Sequence, residues 1–188
     1  MNEEVRRTAG YLKKGLVILY PTDTIWGIGC DASNPEAVSR VYRIKRRTDR
    51  KSMLVLIDHF SRLSFHIDVI PDRVRNLIDQ AEKPVTIIYP GAKNLAENLI
   101  AEDGSIGIRI TSDSFCQRLV QRIGKPIVST SANFSGKKAP SSFAEIDPEM
   151  LKEVDYVVNW RRGETEESAP SSILKVDLEG NVTVIRSH

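Results

Sequence analysis

Cysteine is nearly absent: Cys30 and Cys116 are the two in 188 residues, far apart and outside any CxxC spacing. That excludes a disulfide-stapled scaffold and a thiolate zinc site, and leads us to expect reduced core thiols in a cytoplasmic protein. Histidine is equally sparse. His59, His66 and His188 stand at no metal-ligand spacing, and no metal-ligating set is identified. Aromatics make up 6% of the chain, without the stacking spacing of a single-strand nucleic-acid platform. No apolar run approaches the about 20 residues of a membrane helix, and no signal-peptide pattern is present. No clustered pair of carboxylates, Cys–His pair or Ser–His–Asp set emerges. A mechanism resting on a protein acid or nucleophile therefore has little to stand on.

What is present describes a globular chain: 40% hydrophobic, 28% charged, formal net charge +2. The length suits one domain over 1–188 with a full core. Charge is concentrated. Residues 40–51 hold seven Lys or Arg against one acid, Asp49.

Periodicity predicts a helix over 3–14 (Val5, Ala9, Leu12) stopped by Gly15, then a buried strand at 16–19. Asn34-Pro35-Glu36 is a helix start, with an N-cap, Pro at the first helical position and then an acid. That helix delivers Lys45 and Arg47 at its C-terminal end, ahead of a strand at 53–57. Further helices are predicted at 71–81 and 113–123, and strands at 84–89, 105–110, 126–129, 155–159, 172–176 and 182–186. Intermixed helices and strands point to an α/β fold, a single-domain twisted mixed sheet flanked by helices. Loop-rich segments fall at 134–147 and 160–171, the second a candidate mobile flap.

Four constellations carry chemistry. Tyr20-Pro21-Thr22-Asp23-Thr24 runs from a strand into a Pro-fixed turn, followed by Gly27 and Gly29; a hairpin or bulge whose threonines cap their own turn explains it equally well. Lys45, Arg47 and Lys51 offer phosphate a fork and point charges, against the alternative of a solvated helix end favoured by the dipole. Arg109, alternating with Ile108 and Ile110, is expected to be partly buried and to need an anionic partner; a structural salt bridge would also satisfy it. Last, Ser129-Thr130-Ser131-Ala132-Asn133 reads as a strand opening into a hydroxyl-rich loop. Ligands bind at such carboxyl ends of α/β sheets. The inventory suits catalysis by positioning and charge stabilisation at a nucleotide phosphate.

Taken in order, these segments resemble the YrdC-like family of L-threonylcarbamoyladenylate synthases over nearly the whole chain. Tyr20-Pro21-Thr22-Asp23-Thr24 with Gly27 and Gly29, the Lys45-x-Arg47 and Lys51 set, Ser105-Ile106-Gly107-Ile108-Arg109 and Ser131-x-Asn133 each look like a family signature. So do Pro170-Ser171-Ser172-Ile173-Leu174 and Val184-Ile185-Arg186. Where many members carry Pro after the Arg109 strand, Thr111 stands here, and Ala139 replaces a hydroxyl. The resemblance implies a concave basic cavity. It also implies that L-threonine, bicarbonate and ATP give L-threonylcarbamoyl-AMP and pyrophosphate. A downstream tRNA threonylcarbamoyl transferase complex would then modify the adenosine beside the anticodon.

On the same basis Thr24, Arg109, Ser129 and Ser171 would hold L-threonine. Arg47, Lys51, Ser105, Ser131, Asn133 and Arg186 would hold ATP, with Lys45 supporting the phosphate cluster and Mg²⁺ carried on the phosphates. Two other readings remain: a module that binds tRNA or double-stranded RNA through a basic face, and a divergent member acting on another nucleotide or carbamoyl substrate.

Overall fold

A computed structural model describes residues 1–47, 53–164 and 169–187. Helix α1 (Asn2–Lys13) buries Val5, Ala9 and Leu12. Strands β1 (Ile18–Tyr20) and β2 (Gly27–Gly29) form an antiparallel pair with Ile18 opposite Gly29. Helix α2 (Pro35–Ile44) starts as its sequence demands: Asn34 Oδ1 accepts from the amides of Glu36 and Ala37 at 3.0 and 3.1 Å. Then come β3 (Leu54–Ile57), the short α3 (Leu63–His66), α4 (Arg73–Asp79), β4 (Val85–Tyr89) and β5 (Ile106–Ile110). Helix α5 (Ser114–Ile123) is capped by Asp113 and ends on Gly124 at φ 72°, a left-handed position that suits Gly. The chain continues through β6 (Ile127–Ser131), α6 (Pro148–Glu153), β7 (Tyr156–Val157), β8 (Ser172–Val176) and β9 (Val182–Arg186).

Among the described residues these strands make one mixed sheet in the order β7-β1-β2-β6-β3-β5-β4-β8-β9. Alternation along the strands sorts the core into two layers. Leu19, Ile28, Val55, Ile57, Val128 and Ile108 pack with Ala37, Val38 and Val41 of α2. On the opposite face Ile18, Tyr20, Leu56 and Ile127 pack against α1 and α5 through Leu12, Phe115, Leu119 and Val120. Those two helices cover β1, β6 and β3. The same face over β4, β5 and β8 is where the cleft described below lies.

Several bounds differ from the sequence expectation. The strand expected at 126–129 runs to Ser131, because Thr130 and Ser131 pair with Ile28 and Gly27. Ser129 and Ser131 therefore share one strand face instead of lying in a loop. Strand β2 was expected only as one arm of the alternative hairpin, which the antiparallel β1–β2 pair bears out. Its glycines lack strand propensity, yet a Cβ at Gly29 would come 2.3 Å from the Val128 carbonyl oxygen, so close strand approach selects them. Helix α6 also went unassigned, although Asp147 caps it by accepting from the Glu149 amide, with Pro148 at the first helical position as Pro35 is in α2.

Candidate active site

The cleft, of about 300 Å³, lies on that sheet face and is floored by β2, β6, β3, β5, β4 and β8. Gly27 and Gly107 keep the floor low. A Cβ at Gly107 would come within 3.3 Å of Thr86 Cγ2, and one at Gly27 within 3.4 Å of Ser129 Oγ. Three guanidinium groups, Arg47, Arg109 and Arg186, reach the cleft from three separate segments.

Arg109 is 3% exposed and its Nη2 pairs with Asp23 Oδ1 at 3.1 Å, while its Nε lacks a hydrogen-bond partner among the described residues. An orphaned buried N–H costs about 1–3 kcal/mol, so this donor favours an incoming acceptor. Asp23 Oδ2 accepts from Thr111 Oγ1 at 3.0 Å and from the Ser112 amide at 3.2 Å. Thr111 thus helps to fix the acid that fixes Arg109. Salt bridge and cleft residue turn out to be one arrangement.

Arg186 donates from Nε and Nη2 to the Ser171 carbonyl at 3.1 and 2.6 Å. Burial, with the charge of Arg109 adding to it, holds the Arg186 pKa below its ordinary value. Two like charges set close together favour an anion between them. The Ser171 hydroxyl lies 2.8 Å from Thr86 Oγ1, and both side chains are buried in the cleft wall. Thr24 also lines the cleft; Thr22 Oγ1, 3.0 Å from Thr24 Oγ1, donates to the Ile25 carbonyl at 2.8 Å. The turn is therefore self-capped through Thr22, while Thr24 contributes to the cleft.

Lys45 has a different surrounding. It is 4% exposed, and its ammonium donates to the carbonyls of Ser131 at 2.6 Å and Asn133 at 2.9 Å. Burial, then the nearby charge of Arg47, lowers its pKa to about 8. Arg46, at φ 52°, turns the chain between Lys45 and Arg47, so the first dives under the loop and the second meets the cleft.

Of the residues expected from sequence, Thr24, Arg47, Arg109, Ser129, Ser131, Ser171 and Arg186 line one cleft. Asn133 lies beside it, its Nδ2 donating to the Lys137 carbonyl at 2.6 Å. Ser105 is turned into a local turn, its hydroxyl donating to Asp103 Oδ1 at 2.5 Å. Lys51 lies outside the described residues. So does part of the expected flap at 160–171. Its described portion is anchored by Arg161, which donates to the Thr22 carbonyl and Asp113 at 3.2 and 2.8 Å. Sequence reasoning missed Trp26, Met53, Thr86 and Ile88, which also line the cleft. For Thr86 and Ile88 strand alternation was the available signal, since both share a face with the floor.

This is an α/β fold with a cleft, lined by three guanidinium groups, at one face of a mixed sheet. The chain belongs to the Sua5/YciO/YrdC family, whose description reads "telomere recombination" and which matches residues 10–188. It is 35% identical over 174 residues to the threonylcarbamoyl-AMP synthase of Pseudoalteromonas translucida, with 91% of each chain covered. It is 32% identical to that of Stenotrophomonas maltophilia, covering 91% of this chain and 92% of the relative. Among solved structures it is similar to YciO of E. coli, with TM-score 0.85, 25% identity and 99% of this chain and 89% of that chain covered. Sua5 of P. abyssi complexed with L-threonine shares the fold at TM-score 0.83 and 23% identity; 92% of this chain spans half (50%) of that one. Among the described residues no helix is long and apolar enough to cross a membrane.

Proposed function

We propose that the protein is an L-threonylcarbamoyl-AMP synthase, a nucleotidyltransferase that supplies the activated threonylcarbamoyl group for tRNA modification. The observation that carries this reading is the buried Arg109, pinned by Asp23 and left with an orphaned Nε, in a cleft that also holds Arg47 and Arg186. One guanidinium fixed among hydroxyls suits an amino-acid carboxylate; a second group of cations suits phosphate. Names of relatives at 32% and 35% identity support the same activity.

In this reading Arg109 takes the threonine carboxylate, and Thr24, Ser129 and Ser171 bind its amine and hydroxyl. The amine captures bicarbonate as a carbamate, with loss of water. A carbamate oxygen attacks the α-phosphorus of ATP, the bond to the β-phosphate oxygen breaks, and pyrophosphate departs with the electron pair. Negative charge gathers at the transferring phosphoryl group, so Arg47 and Arg186 stabilise it most. Ser131 and Asn133 meet the nucleotide, and Lys45 holds their backbone from beneath as a positioning residue. Lys51 would add charge to the same phosphates, and Mg²⁺ arrives with ATP as part of the substrate. Ser105, bonded to Asp103, would have to turn to reach ATP. The product then passes to a tRNA threonylcarbamoyl transferase.

The test is to incubate the protein with L-threonine, ATP, Mg²⁺ and isotope-labelled bicarbonate and to analyse the mixture by mass spectrometry. A threonylcarbamoyl-AMP ion carrying the label is expected. ATP consumed without such an adduct would point instead to a divergent substrate.

A further inference from the structure

A second cavity, of about 480 Å³, lies at the opposite end of β6, where Gly124, Lys125 and Pro126 lead into the strand. At the strand rise of about 3.3 Å per residue, Pro126 is about 17 Å from Ser131 in the cleft. Its inner wall is His66, which is 4% exposed and has no hydrogen-bond partner for Nδ1 among the described residues. The Lys93 backbone hydrogen-bonds the ring; burial, helped by the charge of Arg62, outweighs that bond and lowers the His66 pKa. The neutral ring is favoured, and Nδ1 is left buried in the wall of the cavity, without a partner among the described residues.

Around this nitrogen stand groups of complementary chemistry. Phe65 is 62% exposed and meets the His66 ring edge-on at 5.1 Å. Its backbone carbonyl is held by Asn94 Nδ2 at 2.6 Å, from a residue in the left-handed region at φ 54°. Arg62 and Lys125 line the cavity as well, each paired through one nitrogen to an acid outside it: Arg62 Nε to Asp58 and Lys125 Nζ to Asp31, both at 2.7 Å. Arg62 Nη1 also donates to the Gly124 carbonyl at 3.5 Å, which leaves Arg62 Nη2 and the rest of the Lys125 ammonium for an anion. The lining has no acid.

We propose that this cavity is a second nucleotide site, which takes a nucleoside phosphate either free or at the end of an RNA strand. The base stacks on Phe65, a ribose hydroxyl or exocyclic amine donates to His66 Nδ1, and the phosphate meets Arg62 and Lys125. A neutral apolar ligand would leave both cations and Nδ1 unused, and inorganic phosphate would leave the aromatic face bare. The inference does not depend on the synthase reading.

The test follows the His66 ring nitrogens by NMR in the full chain at pH 7, while AMP, GMP, CMP, UMP or a ten-residue oligouridylate is added. A saturable shift of His66 Nδ1 is expected. Shifts with mononucleotides assign the site to free nucleotides, and shifts with the oligomer alone assign it to RNA. Phe65→Ala, at an exposed position, and Lys125→Gln should each weaken binding by about tenfold, equivalent to about 1.4 kcal/mol. Arg186→Ala, in the other cleft, should leave the His66 response unchanged. No shift with any probe at millimolar concentration, or a shift undiminished in the Phe65→Ala, Lys125→Gln double variant, overturns the proposal.

Discussion

Asp23 Oδ1 stands 3.1 Å from Arg109 Nη2, with both side chains nearly withdrawn from solvent at 7% and 3% exposure. Desolvating two charges is costly; the opposite charges offset that cost, and Thr111 and Ser112 donate to the acid's other oxygen. Removing the acid strands a buried cation. Asp23→Ala should therefore lose about 3–5 kcal/mol in urea unfolding. Thr111→Val, which removes a neutral donor to the other carboxylate oxygen, Oδ2, should lose about 1 kcal/mol. Equal losses would mean that the ion pair contributes nothing beyond a hydrogen bond.

Arg186 joins the last strand to the cleft by gripping the Ser171 carbonyl. Replacing it with Ala should cut pyrophosphate release about 100-fold, the usual effect of losing one transition-state donor. Lys at this position should recover little, since a point charge cannot reproduce the guanidinium fork. The check is steady-state release alongside circular dichroism. Undiminished release in a folded Arg186→Ala protein would remove this residue from the reaction.

Lys45 gives the protein a pH signature. Its folded pKa of about 8 lies below the ordinary value of 10.5. Between these values the unfolded chain binds more protons, so stability rises with pH. The contribution is fully present above 10.5 and is lost as pH falls through about 8. Relative to Lys45→Met, the wild-type protein should gain up to about 3 kcal/mol across that window. Activity should move the other way, declining above about 8 as the ammonium that organises Ser131 and Asn133 discharges. Parallel pH profiles for the two proteins would contradict both statements.

Two glycines should respond oppositely to alanine. At Gly29 the new methyl would lie 2.3 Å from the Val128 carbonyl oxygen and 2.7 Å from Tyr20 Cε1, forcing β2 away from β6. That overpacking should cost about 1–3 kcal/mol or more. At Gly10, within α1, the methyl meets nothing within 4 Å. Gly10→Ala should stabilise the protein by about 0.5–1 kcal/mol through higher helix propensity. Thermal melts of the two variants provide the comparison.

Legibility in the sequence followed the range of the interactions involved. The start of α2 at Asn34 and the end of α5 at Gly124 were readable because caps are local. Arg109 was readable as a buried cation because strand alternation is local too. Its partner Asp23 was not assigned, since 86 residues separate the two. Likewise Lys45 was expected among phosphates, but carbonyls 86 and 88 residues away receive its ammonium. The Thr86–Ser171 hydroxyl pair spans 85 residues and left no local trace. Strand β2 was readable only as the alternative hairpin, because glycine opposes strand propensity and tight sheet packing overrides it.

The central claim is that Arg109 selects L-threonine and that Arg47 and Arg186 activate it with ATP. Pyrophosphate release measured with ATP, Mg²⁺ and bicarbonate against a panel of amino acids tests this most directly. The account predicts release that requires both bicarbonate and L-threonine, with L-serine, lacking one methyl, slower by about 10–200-fold in kcat/KM. Release that ignores the amino acid supplied, or none with any of them, would contradict it.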